Sequence, residues 1–309
     1  MRVAIATTQV PFIKGGAESM TDNLFQNIKK RGHIVEVITI PFIFNSKASI
    51  RENMEFWKKQ NFNNFDVGRI DTAICLKFPT YYLQHPNKVV WLMHQHRSVY
   101  DLWDTQYGDT SSDREACELR NDIIQEDTLM LGNSIKNYTI SKTVSDRLKK
   151  YNNIDSEHLY QPSPLSDILK LGDQNPYIFC PSRLEGLKRQ ELLLQAAALC
   201  KTPCNILIAG TGSMENMLHK LIQELDLQHK VRMLGHVSTQ EMINLYSNSL
   251  GVFFAPVDED YGFVTLEAMQ SGKPVITCKD SGGPLEFVTD GETGFIIDPS
   301  PDLIANKID

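Results

Sequence analysis

Residues 259–267 read E-D-Y-G-F-V-T-L-E, and they decide the predicted fold. The run before them, residues 250–256 (L-G-V-F-F-A-P), is short, aromatic and β-branched, as is typical of a buried parallel strand. Residues 263–271 have the pattern of a helix, which Gly272 and Pro274 end before a new buried strand at 274–277. The stretch therefore predicts a strand, a loop, a helix and a second strand, with Glu259 at a strand's carboxyl end.

The start of this helix is a predicted anion site. A helix N-terminus offers unpaired backbone N–H groups and a partial positive charge, and Gly262 there would let a ligand approach the backbone closely. Because carboxylates bind hydroxyls, Glu259 and Glu267 predict a ligand with a phosphate in its middle and hydroxyls at both ends. A nucleotide-sugar fits, with its sugar near Glu259 and its ribose near Glu267. On spacing alone, two glutamates that merely face solvent are an equal alternative.

Three further motifs follow the same stretch. They are E-A-M-Q-S-G-K-P-V-I at 267–276, Gly282-Gly283-x-x-Glu286, and D-G-x-T-G-F at 290–295. With the two glutamates, they closely resemble the retaining glycosyltransferases of family 4, densely over residues 177–299 and more loosely over the first half. The resemblance implies an α/β chain of GT-B architecture, in which two Rossmann-like domains with parallel sheets face a central cleft.

Length agrees with two domains, since 309 residues suit two cores of about 150 residues each. We place an N-terminal, acceptor-side domain at residues 1–165 and a nucleotide-sugar-binding domain at 166–309. Residues 160–176 contain three prolines and are the predicted linker. Members of the family usually continue well past Pro299 with final helices, so the sequence predicts either a short member or an incomplete chain.

Charge is shared unevenly between the halves. Residues 1–165 carry 20 Lys and Arg against 19 Asp and Glu, whereas residues 166–309 carry 11 against 19. An acidic second half disfavours non-specific binding to nucleic acid. Basic clusters at 29–31, 58–59 and 149–150 could touch an anionic membrane, although such clusters are more often solvated helix ends.

The predicted location is the cytoplasm, with peripheral contact at the inner face of the membrane as an additional expectation. No apolar run approaches the roughly 20 residues that span a bilayer. No signal peptide is visible, because the first residues lead into a short strand and a glycine-rich turn. The six cysteines are scattered and have no paired metal spacing, so they are predicted to be reduced.

Arg183 and Lys188 lie five positions apart in a predicted loop before a helix, so both can converge on one anion. The resemblance implies that such a pair holds the donor's diphosphate. Cleavage of the sugar–phosphate bond leaves negative charge on the β-phosphate, and fixed cations stabilise that charge. The alternative is that Arg183 and Lys188 are two exposed basic side chains with no role in binding an anion.

In the first half, Gly15 and Gly16 follow a predicted strand and begin a helix, which by itself is as consistent with a plain tight turn. The motif His94-Gln95-His96 comes at the end of the predicted strand 88–93, where open α/β sheets place ligands. No third metal ligand of convincing spacing follows. The resemblance implies that His94 approaches the donor sugar, with His96 as the alternative and a structural histidine as a third possibility.

With Arg183, Lys188, Glu259 and His94 as the catalytic set, the resemblance adds a second group of residues near the donor. The predicted donor-binding residues are Gly15, Gly16, Gly210, His236, Gly262, Phe263, Val264, Thr265 and Glu267.

Asp258-Glu259-Asp260 looks like the D-x-D metal motif of the other major glycosyltransferase fold, but its flanking sequence differs. The GT-B resemblance implies neutralisation by Arg, Lys and a helix dipole, so no metal and no cofactor are expected. The predicted function is a retaining, metal-independent transfer of sugar from a UDP- or GDP-sugar to a hydroxyl acceptor in polysaccharide, glycolipid or other glycoconjugate synthesis. The acceptor could be a glycan, a lipid-linked glycan or a small molecule.

The alternatives to this function are a non-catalytic GT-B-like partner subunit and a sugar-nucleotide epimerase. A Rossmann oxidoreductase is disfavoured, because Gly210-Thr211-Gly212 lacks the third glycine of the dinucleotide fingerprint.

Overall fold

A computed structural model describes residues 1–12, 15–44, 46–65 and 68–309. The chain divides into two compact units, Met1–Gln161 and Pro162–Asp309. Each unit contains a six-stranded sheet whose neighbouring strands are all parallel. The predicted α/β class is therefore confirmed.

The strands of the first unit are β1 Arg2–Gln9, β2 Ile34–Pro41, β3 Asn64–Phe65, β4 Gly68–Arg69, β5 Thr72–Cys75, β6 Lys88–Leu92, β7 Lys136–Thr139 and β8 Glu157–His158. The sheet order is β2-β1-β5-β6-β7-β8, while β3 and β4 form a separate antiparallel pair. The interior of β1 is buried over its whole length, as a central parallel strand covered on both faces requires. Chain order reverses between β1 and β5, which makes their carboxyl ends a switch point.

The helices of the first unit are α1 Gly16–Lys30, α2 Lys47–Lys58, α3 Arg114–Gly132 and α4 Lys142–Asn152, with 3-10 turns at Thr80–Tyr82 and Arg97–Val99. Side chains cap three of these helices: Ser46, Asp113 and Ser141 each accept a hydrogen bond from a backbone N–H of the first turn. Capping of this kind satisfies donors that have no helical partner.

Helix α2 lies in the polar and aromatic segment 41–64. Ile50, Met54 and Trp57 recur on one face of α2 and are buried. Beside this buried face, Lys47 Nζ pairs with Oδ2 of Asp113, the N-cap residue of α3, at 2.6 Å. The segment is thus a packed three-turn helix.

The strands of the second unit are β9 Tyr177–Pro181, β10 Asn205–Ala209, β11 Val231–Gly235, β12 Gly251–Phe253, β13 Val275–Cys278 and β14 Gly294–Ile297. Their order is β11-β10-β9-β12-β13-β14. Taken in chain order this is 3-2-1-4-5-6, the order of the doubly wound dinucleotide-binding fold. The switch point lies between β9 and β12.

The helices of the second unit are α5 Gln190–Leu199, α6 Glu215–Glu224, α7 Thr239–Asn248, α8 Phe263–Gln270 and α9 Pro301–Ile308, with 3-10 turns at Gly186–Lys188 and Gly283–Glu286. Apolar side chains fill both faces of the sheet: Leu193, Ile206 and Phe253 lie in one cluster, and Phe179 and Val252 lie in the other. The helix and the two strands predicted around residues 259–267 are present, and β12 is shorter than its predicted range.

Most of the predicted linker, residues 160–176, packs against the second unit. Ser163 Oγ donates to Glu267, and Ser247 Oγ donates to the Lys170 carbonyl at 2.8 Å. Lys273 Nζ donates to the Asp173 carbonyl at 3.2 Å. Residues from 162 onward therefore belong structurally to the second unit.

Candidate functional site

The carboxyl ends of β9 and β12 carry the predicted anion-binding residues. β9 leads into the loop with Arg183 and Lys188, and β12 leads into the segment with Glu259 and Gly262. These two strands are neighbours at the switch point. Open parallel sheets bind ligands at such a point, so the topology brings both loops to the edge where a ligand is expected.

Lys188 and Glu259 form an ion pair at this edge. The Lys188 ammonium donates directly to Glu259 Oε2. Only 13% of the lysine side chain and 22% of the glutamate side chain are exposed. The ammonium also lies 5.5 Å from the centre of the Phe254 ring, whose face attracts cations. Two residues of the predicted catalytic set, Lys188 and Glu259, are thus in contact.

The backbone of Glu259 is held by the loop that follows β13. The Glu259 N–H donates to the Ser281 carbonyl at 2.9 Å, and the Glu259 carbonyl accepts from Gly283 at 2.7 Å. Gly282 has a φ of 69°, and a Cβ on it would lie 2.6 Å from the Glu259 carbonyl oxygen. A side chain at position 282 would therefore displace Glu259.

Gly262 precedes helix α8 with a φ of 89°, a conformation that favours glycine. A Cβ at this position would lie 2.9 Å from Phe254 Cε1. Helix geometry leaves the amides of Phe263 and Val264 without a helical carbonyl. The Thr265 amide, by contrast, donates to the Gly262 carbonyl at 3.0 Å, so a phosphate contact by this amide would have to share that bond.

Glu267 lies more than one turn inside α8, and its carboxylate is held by two hydroxyls that the sequence did not single out. Ser163 Oγ donates to Glu267 Oε1 at 2.6 Å, and Tyr246 Oη donates to Oε2 at 2.7 Å. Burial raises the pKa of Glu267, while these two hydrogen bonds oppose the shift. The carboxylate is thus oriented before any ligand arrives, and its contact with a ribose stays a prediction.

Arg183 is an exposed residue on a loop that the Gly210 turn supports. Gly210 has a φ of 136°, and a Cβ on it would lie 1.9 Å from the Ser182 carbonyl oxygen. The Leu184 N–H donates to the Thr211 carbonyl at 3.0 Å. Within the described ranges the Arg183 guanidinium forms no ion pair, so the structure does not join it to Lys188 or Glu259.

His236 is exposed and follows Gly235, the last residue of β11, which has a φ of 64°. The Gly210 N–H donates to the Gly235 carbonyl at 2.8 Å. This bond places the two predicted nucleotide-side loops next to each other.

In the first unit, Gly15 caps helix α1 and Gly16 is its first residue. The Gly15 N–H donates to Glu18 Oε2 at 2.9 Å, and Glu18 lies 3.7 Å from Lys77 Nζ. Burial lowers the pKa of Lys77. A carboxylate of the chain itself thus occupies the start of this helix. Residues 13 and 14, in the loop predicted to face the ligand, lie outside the described residues.

His94 and His96 have different surroundings. His94 is half-buried, and its Nδ1 donates to the Gln95 carbonyl at 2.7 Å. It lines a cavity of about 520 Å³ together with Lys47 and Asp109. His96 is buried against the Phe78 ring, with 5.1 Å between ring centres. Burial lowers the pKa of His96 to about 4, which makes the ring neutral at pH 7. Of the two, only His94 has the half-exposed position expected of a ligand contact.

Comparison with known families agrees with the geometry of the second unit. Residues 164–309 match the model of glycosyl transferases group 1. The match spans nearly all of the second unit, Pro162–Asp309.

Two individual proteins extend the comparison beyond the family model. An uncharacterized glycosyltransferase of Methanocaldococcus jannaschii is 25% identical, over 100% of this chain and 88% of that protein. The alpha-1,3/1,6-mannosyltransferase ALG2 of Mus musculus is 31% identical, over 53% of this chain and 43% of its own length.

Among solved structures, S. aureus TarM in a complex containing UDP has a TM-score of 0.72 at 13% identity, over 99% of this chain and 92% of that chain. This likeness confirms the predicted GT-B fold.

Metal binding and membrane insertion can be judged over the residues that the structure describes. In that part of the chain, no group of three or more His, Cys, Asp or Glu side chains could hold a metal ion. The same residues include no helix with the length and apolar character needed to cross a membrane. The three basic clusters lie in or next to the last turns of α1, α2 and α4.

Proposed function

We propose that the chain is a retaining, metal-independent glycosyltransferase that moves a sugar from a nucleoside-diphosphate-sugar to an acceptor hydroxyl. The observation that carries the proposal is the Lys188–Glu259 pair at the switch point of a unit that matches the model of glycosyl transferases group 1. A UDP- or GDP-sugar is the proposed donor. TarM, which shares the fold, was solved with UDP.

The residues at this edge are suited to the departure of a phosphate. As the sugar–phosphate bond breaks, negative charge grows on the β-phosphate, and the Lys188 ammonium and the amides of Phe263 and Val264 would stabilise it. Arg183 would add a second cation from its exposed loop. A resident metal ion or cofactor is not required for this step.

The other side chains would position the donor. When the donor's phosphate replaces Glu259 as the partner of Lys188, the Glu259 carboxylate would accept hydrogen bonds from sugar hydroxyls. Glu267 would accept a hydrogen bond from the ribose. Retention of configuration is proposed from the resemblance to family 4. In that mechanism the leaving phosphate helps to deprotonate the acceptor, and no covalent enzyme intermediate is formed.

The acceptor is proposed to be a hydroxyl of a growing glycan or of a lipid-linked glycan. The support is the mannosyltransferase activity in the name of the mouse relative. The half-buried His94 in the first unit is the proposed contact to the donor sugar.

The first experiment is a thermal-shift screen of UDP-, GDP- and ADP-sugars. A donor at 100 times its dissociation constant adds roughly 2.7 kcal/mol to the stability of the folded state. The donor that stabilises the protein is then used in transfer and donor-hydrolysis assays with and without EDTA. We expect equal rates in both conditions, and NMR of the first product should show the donor's anomeric configuration.

The second experiment compares Lys188→Ala with Lys279→Ala. Loss of charge-assisted hydrogen bonds worth about 1.5–3 kcal/mol should lower the turnover of Lys188→Ala by about 10- to 150-fold. Lys279 is 61% exposed and pairs with Asp298, so its variant should keep the wild-type rate. An unchanged rate in Lys188→Ala would contradict the assignment. Binding of no nucleotide-sugar at all would favour a non-catalytic partner subunit.

A further inference from the structure

Arg189 follows Lys188 directly and has an unusual backbone. Its φ of 53° and ψ of 40° lie in the left-handed region, which is unfavourable for a residue with a Cβ atom. Its side chain is nonetheless only 11% exposed. A strained backbone and a buried guanidinium are kept together only where the side chain makes strong contacts.

The contacts of the Arg189 side chain join its own loop to two other segments of the chain. Nε donates to the Ala255 carbonyl at 2.7 Å, and Nη2 donates to the Pro256 carbonyl at 2.9 Å. Nη1 and Nη2 form a two-pronged pair with the Asp280 carboxylate, at 2.9 Å and 2.7 Å. Bidentate pairing of this type fixes geometry as well as adding energy.

Both segments lead to Glu259. The Pro256 carbonyl lies three residues before Glu259 in the chain, and the Val257 N–H next to it donates to the Leu187 carbonyl at 2.8 Å. On the other side, the Asp280 carbonyl accepts from the Asp258 N–H at 2.8 Å. One guanidinium therefore connects the loop that carries Lys188 with the two segments that hold the backbone of Glu259.

We infer that Arg189 is a positioning residue that fixes Lys188 against Glu259 by clamping the Ala255 and Pro256 carbonyls and the Asp280 carboxylate. The inference rests on the proposed function of the Lys188–Glu259 pair. Arg189 itself is not placed against the substrate, and it acts through its neighbours.

The first test measures geometry without activity. Lysine side chains are labelled with acetic anhydride in the wild type and in Arg189→Gly, and the labelling of Lys188 is quantified by mass spectrometry against Lys220, which is 76% exposed. Glycine adopts the left-handed backbone without strain, so this variant removes the clamp and keeps the fold. We expect Lys188 to become several-fold more reactive. Equal reactivity of Lys188 in both proteins would overturn the inference.

The second test uses the donor identified by the thermal-shift screen. Displacement of a catalytic pair by about 1 Å can lower a rate by about 100-fold, so kcat of Arg189→Gly should fall about 10- to 100-fold. In a Lys188→Ala background the same substitution should change kcat less than about twofold, because residues that act through one another are not additive. Arg189→Lys keeps the positive charge but cannot form the two-pronged pair with Asp280. Its kcat should therefore lie between those of the wild type and Arg189→Gly.

The outcomes separate the two proposals. If the losses in Arg189→Gly and Lys188→Ala multiply in the double variant, Arg189 has only a general structural role. A wild-type chain that transfers nothing from any nucleotide-sugar contradicts the proposed function, and the labelling of Lys188 still decides whether Arg189 positions it. Lys279→Ala serves as the neutral control in both tests.

Discussion

Asp127 is a fully buried carboxylate in the first unit, and its replacement by asparagine should remove a specific pH dependence of stability. Its oxygens accept hydrogen bonds from Tyr82 Oη at 2.7 Å and Tyr100 Oη at 2.8 Å. Asn152 donates to the Tyr100 hydroxyl at 3.4 Å, and no basic side chain is paired with Asp127 among the described residues. Burial raises the pKa of Asp127 to about 7, although the tyrosine hydrogen bonds oppose the shift.

The sign and size of the effect follow from this pKa. Between the ordinary value of 3.8 and about 7, the folded state holds a proton that the unfolded state has lost. The free energy of unfolding must then fall as pH rises through this window, by a factor of ten in the folding equilibrium for each pH unit. From pH 5 to pH 8 the wild type should lose about 3 kcal/mol relative to Asp127→Asn, which has no proton to release.

Tryptophan fluorescence reports on this unit alone, since all three tryptophans of the chain, Trp57, Trp91 and Trp103, lie in residues 1–161. Urea unfolding is followed at pH 5, 6, 7 and 8 for both proteins. Asp122→Asn is the matched control, because Asp122 is on the same helix but 49% exposed. Parallel pH profiles for the wild type and Asp127→Asn would refute the reasoning.

Two further predictions concern the second unit, which has no tryptophan and is followed by circular dichroism. Tyr246→Phe removes a hydrogen bond to the buried Glu267 carboxylate and should lower the free energy of unfolding by about 2 kcal/mol, whereas Tyr177→Phe, whose hydroxyl donates to the Leu245 carbonyl, should cost about 1 kcal/mol. Equal losses of unfolding free energy in the two variants would contradict a charge-assisted hydrogen bond between Tyr246 and Glu267. Gly210→Ala places a Cβ 1.9 Å from the Ser182 carbonyl oxygen and should lower stability by about 1–3 kcal/mol and weaken UDP binding measured by calorimetry. Gly132→Ala meets nothing within 4 Å and should be neutral in both measurements.

The sequence was most informative where chemistry is local. The apolar run before Glu259, the glycine at position 262 and the proline at 274 lie within one supersecondary unit, and the structure has a strand, a helix and a second strand there. The fold class followed, because two such α/β halves can bury their strands only in parallel sheets covered by helices.

The partners of the site residues were harder to predict, since they come from distant parts of the chain. Ser163 and Glu267 are 104 residues apart, and Arg189 and Asp280 are 91 apart. No periodicity links such positions. Helix α2 was different, because the cap at Ser46 and the spacing of Ile50, Met54 and Trp57 were visible, but the polar residues between them hid the pattern.

The ion pair between Lys188 and Glu259 has a consequence for the end of the proposed reaction. A bound donor would separate these two side chains. Its phosphate would bind the Lys188 ammonium, and its sugar hydroxyls would donate hydrogen bonds to the Glu259 carboxylate. After the sugar has been transferred, the Glu259 carboxylate would lie close to the diphosphate without a partner. Two neighbouring negative charges repel each other. If the proposed mechanism holds, we expect Lys188 to pair with Glu259 again and the nucleotide to be released, so that the protein should bind UDP more weakly than a UDP-sugar.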